Sequence, residues 1–123
     1  MVLATSNKRQ RLLCLNYVQR VVPAELASAL QEVEALLVDL PADFRLLADL
    51  SKLESMEPEC MTEIGRSMDM INKHGVGLII RVIPDASKDI GLNILTIFHY
   101  PQQPRIITCE KLSEALEHLA AWS

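Results

Sequence analysis

The chain lacks a basic surplus, a cysteine motif, a glycine-rich loop and any long apolar run. Its 12 Lys and Arg are outnumbered by 16 Asp and Glu, for a formal net charge of −4. A phosphate backbone needs a concentrated basic patch, so nucleic acid is not an expected partner. Cys14, Cys60 and Cys109 are an odd number, lie far apart and form no C-x-x-C pair. That argues against a disulfide framework or a zinc site and fits a reducing cytoplasm. The longest apolar stretches fall well short of the ~18 residues needed to span a bilayer. The N-terminal stretch reaches Asn7, Lys8 and Arg9 before a signal-peptide core can form. A soluble, cytoplasmic chain without membrane association is therefore expected. There is no glycine-rich phosphate cradle, internal repeat, low-complexity tract or linker. One domain over residues 1–123 is expected.

What is present is patterned apolar sequence, half of the residues. The stretch from Phe44 to Ile83 sets the architecture. An apolar run (Phe44, Leu46, Leu47, Ala48) leads into an acidic turn. Met61, Ile64, Met68 and Ile71 then recur at helical spacing from about Pro58, Gly75 supplies a stop, and the β-branched run Val76 to Ile83 follows. Strand, loop, helix, strand is one parallel crossover unit. Before it, residues 2–5 and 11–18 read as a hairpin. Leu13, Leu15 and Tyr17 lie on one face of the second strand, and Leu12, Cys14 and Val18 on the other. Pro23 opens a helix over 23–39 with the stripe Leu26, Leu30, Val33 and Leu37. After Pro84, Ile90, Ile94, Ile97 and Phe98 predict a third helix. Residues 105–108 predict a short strand, and Thr108 is expected to cap a last helix with the stripe Leu112, Ala115, Leu116 and Leu119. The order ββαβαβαβα predicts an α/β fold, a mixed, mostly parallel sheet with helices on both faces.

Ala48 to Met61 reads A-D-L-S-K-L-E-S-M-E-P-E-C-M, and Cys109 to Leu116 reads C-E-K-L-S-E-A-L. The first resembles the L-D-L-S-x-V-x-F-I-D-S-S-G-L pattern of the STAS domain of anti-sigma factor antagonists. The second resembles that family's closing S-x-E-E-A-L helix. Asp49, Leu50 and Ser51 match, Leu53 and Met56 keep apolar positions, and Glu57 stands for the acidic residue. Arg20 to Glu25 is similar to the SpoIIAA-like branch. The resemblance implies a non-enzymatic regulatory module that binds another protein and uses no cofactor. Relatives of the fold bind lipids, nucleotides or flavin, so a small-ligand module is the alternative. The two serines before the family's glycine, one of them the phosphate acceptor, are Pro58 and Glu59 here, and the glycine is Cys60. The resemblance thus implies contact without a phosphate switch.

The expected contact surface is Ser55, Glu57, Pro58 and Glu59 in the loop 54–60, with Arg66 and Met70 on the exposed face of the following helix. Asp85, Lys88 and Asp89 lie at the carboxyl edge of the sheet, where ligands of open α/β folds bind; capping and solvation are the plainer account of them. Glu54, Glu57, Glu59 and Glu63 lack a histidine at useful spacing, so a solvated acidic loop is expected rather than a metal site. Cys60 sits where a helix N-terminus can lower a thiol pKa, although a small buried side chain is the plainer reading. The bulky run Ile94 to Tyr100, with Trp122, predicts a homodimer face.

Overall fold

The computed structural model of the protein describes residues 1–84 and 104–121. Its elements are β1 (Val2–Asn7), β2 (Leu12–Val21), α1 (Pro23–Leu37), β3 (Arg45–Met56), α2 (Cys60–His74), β4 (Leu78–Val82), β5 (Arg105–Cys109) and α3 (Leu112–Ala121). The five strands form one sheet in the order β1-β2-β3-β4-β5. β1 is antiparallel to β2, and every other pair is parallel. The mixed sheet expected from the sequence is present. The expected helix around Ile90 to Phe98 lies outside the described residues.

Both connections β2-α1-β3 and β3-α2-β4 step to the next strand in the same direction. Crossovers of one hand that step the same way place their helices on one side of the sheet. α1 and α2 do share a face: Leu26, Val33 and Leu37 of α1 and Ile64, Met68 and Ile71 of α2 pack with Leu13, Leu15, Leu46, Leu50 and Ile79. The opposite face carries Leu12, Leu47, Leu78, Ile80 and Val82, covered by Ala115 and Leu119 of α3. Period-two alternation sends neighbouring residues to opposite cores. This is why β2, β3 and β4 read as nearly continuous apolar runs.

The helix ends follow local chemistry. Pro23 occupies the first turn of α1, where its missing N–H costs nothing. Gly75 ends α2 in the left-handed region (φ 91°), its N–H bonded to the Asn72 carbonyl at 3.0 Å. His74 Nε2 donates to the Leu40 carbonyl at 2.6 Å, and its ring meets Phe44 edge-on at 5.6 Å. That pair fastens the end of α2 to the entry of β3.

Four expectations are corrected. β3 does not give way to an acidic turn after its apolar run. It runs on to Met56, because β2 continues beside it to Val21 through register shifts at Asn16/Val18 and Gln19/Arg20. Gln19 takes φ 59° there, and the extra residues leave Ser51 and Lys52 exposed in succession, which hides the alternation. α2 begins at Cys60 rather than Pro58. Thr108 lies inside β5, and α3 starts at Leu112 behind a turn in which Lys111 accepts from the Glu114 and Ala115 N–H groups. Of the expected α3 stripe, only Ala115 and Leu119 are buried; Leu112 and Leu116 are exposed.

Candidate functional site

β2 and β3 end together at the carboxyl edge of the parallel strands, with Arg20 opposite Ser55 and Val21 opposite Met56. What remains of the expected loop is short, residues 57–59. It is held from several directions. The Glu57 N–H donates to the Val21 carbonyl at 3.4 Å, and the Glu57 carboxylate accepts from Arg20 Nη2 at 2.5 Å. Cys60 N–H reaches the Glu57 carbonyl at 2.9 Å and Met61 N–H the Pro58 carbonyl at 3.1 Å. Cys60 Sγ donates to Val21 O at 3.6 Å. The loop is thus stapled to the strand that precedes α1.

Ser55, Pro58 and Glu59 are exposed on this edge, and Glu57 is half-buried in its ion pair. Glu59 precedes α2 with helical backbone (φ −62°, ψ −20°) and makes no capping bond with its side chain. Its carboxylate stands at a helix N-terminus, where negative charge is favoured by about 0.3–1 kcal/mol. Arg66 follows about two turns later on the same face of α2. It is exposed and bonded to Glu63 at 3.2 Å. Met70 is one turn further, half-buried against the core, and borders a hollow of about 250 Å³ with Leu37 at the end of α1 and Val38 just after it. Ser55, Glu57, Pro58 and Glu59 thus lie together at this edge, and Arg66 follows along the outer face of α2. Met70 turns toward α1. Asp85, Lys88 and Asp89 lie outside the described residues, as do Ile94 to Tyr100 and Trp122.

Asp49 and Ser51, part of the matched motif, have a local role. Asp49 is buried and its Oδ1 accepts from the Ser51 N–H at 2.9 Å, shaping the chain where β3 passes its first register shift. Cys60 is fully buried, in keeping with the plain packing account, and burial pushes its thiol up, with the Glu57 and Glu59 carboxylates adding to it. Among the described residues, no three His, Cys, Asp or Glu side chains gather closely enough to hold a metal ion. No described helix is long and apolar enough to cross a membrane.

One feature escaped the sequence. Arg81, only 3% exposed, lies on the α2 side of β4 and faces Tyr17 across the sheet. Burial pushes the Tyr17 hydroxyl up to about 12 despite the opposing pull of the Arg81 charge. Both border a cavity of about 30 Å³ beneath α2, whose wall is otherwise mainly apolar. The signal was Arg81 interrupting the apolar run of β4, but only the register shows which core it enters.

No protein-family model matches the chain, and no curated protein does. Solved structures do. The unphosphorylated anti-sigma factor antagonist SpoIIAA superposes with TM-score 0.64 at 9% identity, covering 98% of both chains. An uncharacterised protein from Shewanella loihica with a SpoIIAA-like fold gives 0.69 at 10%, covering 97% of this chain and 92% of that one. An anti-sigma factor antagonist from Mycobacterium paratuberculosis gives 0.60 at 14%, with coverage of 98% and 93%. At such identities the likeness shows the fold, and the fold of this chain is the SpoIIAA-like STAS fold.

Proposed function

We propose that the chain is a single non-enzymatic regulatory unit that binds another protein through residues 55–59 and the outer face of α2, and that this contact is constitutive. The observation that carries the reading is the exposed acidic edge, tied to the end of β2. Glu57 is fixed by Arg20, and Glu59 is presented at the start of α2 where the family pattern has a phosphate acceptor. The likeness to anti-sigma factor antagonists supports a protein partner. A permanent carboxylate carries one charge, against about −1.5 to −2 for a phosphate. The surface therefore suits a partner with a moderately basic face.

The test begins with a photo-crosslinking residue in place of Thr62, exposed beside this edge. The crosslinked protein is identified, purified and titrated by calorimetry. Glu59→Ser should weaken binding by about tenfold, the size of a lost charged contact, and Glu59→Lys by more. Unchanged affinity in both would remove this surface as the contact. The second association expected from the sequence, a homodimer using 94–100 or Trp122, is a separate proposal, read by sedimentation at high micromolar concentration.

A further inference from the structure

We propose that the groove between α3 and the start of β2, at the amino edge of the parallel strands, binds a small organic anion with an aliphatic body. It lies at the opposite end of the sheet from the acidic edge and is independent of the protein-contact reading. Its volume is about 490 Å³, inside the range of about 300–1,000 Å³ typical of small-molecule sites.

Three arginines meet there on a chain whose net charge is −4. The β1–β2 turn brings Arg9 and Arg11 beside Arg45 at the start of β3, where Arg45 N–H donates to the Arg11 carbonyl at 2.7 Å. Arg45 is held in place by its own fork: Nη1 donates to the Leu119 carbonyl at 2.8 Å and Nη2 to the Gln10 carbonyl at 2.6 Å. Its Nε–H is buried without a hydrogen-bond partner. Among the described residues, Lys8, Arg20 and Arg66 each have a carboxylate partner, whereas Arg9, Arg11 and Arg45 have none. Asp43 comes near only in a separate hollow of about 60 Å³ behind Arg11 and Arg45. Arg11 also takes φ 52°, a conformation that glycine or asparagine adopts at less cost. Guanidinium forks match phosphate and carboxylate oxygens in pairs.

Apart from Gln10 and Cys14, the rest of the groove is apolar. Leu12 and Leu47 belong to the buried core beneath it, and Leu116 on α3 stays 53% exposed at its rim. No aromatic side chain is among its described walls. An anionic head with an alkyl tail satisfies both halves. Cys14 lines the same groove and is the least buried of the three thiols.

Calorimetry with hexyl phosphate, inorganic phosphate and hexanol tests this. Hexyl phosphate should bind about tenfold or more tighter than either half alone, since head and tail act together. Arg9→Gln with Arg11→Gln should weaken it by about tenfold, while circular dichroism confirms an unchanged fold. Bound hexyl phosphate should slow N-ethylmaleimide labelling of Cys14, and Glu59→Ser should leave its affinity alone. Absence of binding at millimolar concentration overturns the proposal. So does equal binding of hexanol, or affinity that ignores the two arginines. Binding seen only with vesicles containing phosphatidic acid overturns the small-molecule site in favour of a membrane surface.

Discussion

The Asp43 carboxylate occupies the space that a side chain on Gly77 would need: a Cβ there would stand 2.1 Å from Asp43 Oδ1. Asp43 itself is left-handed (φ 67°), with its N–H on the Gly75 carbonyl at 2.7 Å, while Gly77 N–H reaches the Phe44 carbonyl at 2.9 Å. The two strand entries are thus interlocked. Gly77→Ala should cost about 1–3 kcal/mol, because the short Asp43 side chain must turn aside. Adding Asp43→Gly removes the obstacle and a strained φ, so the double variant should recover most of the loss. Additive losses in urea denaturation would show that the contact is not the cause.

Ile80 is fully buried on the α3 face, between β3 and β5. Ile80→Ala should destabilise by about 2–5 kcal/mol through lost burial and the cavity left behind. A shift in the denaturation midpoint worth less than about 0.5 kcal/mol would be incompatible with this packing.

Tyr17 gives the fold an alkaline limit. Its hydroxyl is pushed up to about 12 from an ordinary value of 10.0 by burial. The folded chain therefore holds that proton more tightly than the unfolded chain. Its contribution is whole below pH 10 and is lost as the pH rises through 12. Tyrosinate absorbance should show one of the two tyrosines ionising near pH 12 or only on unfolding, and Tyr17→Phe should remove that component. Two tyrosines titrating together near pH 10 in the folded chain would contradict the burial of Tyr17.

The acceptor position of the family pattern holds Pro58 and Glu59. Ser55 is an exposed hydroxyl three residues before it, on a strand flanked by Glu54 and, two residues on, Glu57. Their charges oppose an added phosphate. Intact-mass and peptide spectra of protein from its native host should show no stoichiometric phosphate on residues 51–62. Its presence there would mean that control by phosphorylation survives with a shifted acceptor.

Local patterns decided the type and order of most elements. Within the run Val76 to Ile83, Leu78–Val82 forms β4, and the stripe Ile64, Met68, Ile71 followed by Gly75 forms α2, because side-chain direction and backbone preference are set within a few residues. The D-L-S match in the chain was legible for the same reason, since Asp49 bonds its neighbour Ser51. The acidic stretch Glu54 to Met56 was not legible as strand. Only its pairing with Arg20 and Val21, across two register shifts, makes it one. The Arg20–Glu57 pair that fixes the candidate contact edge joins residues 37 positions apart. The basic groove needs Arg9 and Arg11 beside Arg45 and a carbonyl from Leu119, 74 residues beyond Arg45. Distant partners such as these are brought together by sheet pairing and burial, whose geometry the whole chain sets at once, and no window of the sequence contains it.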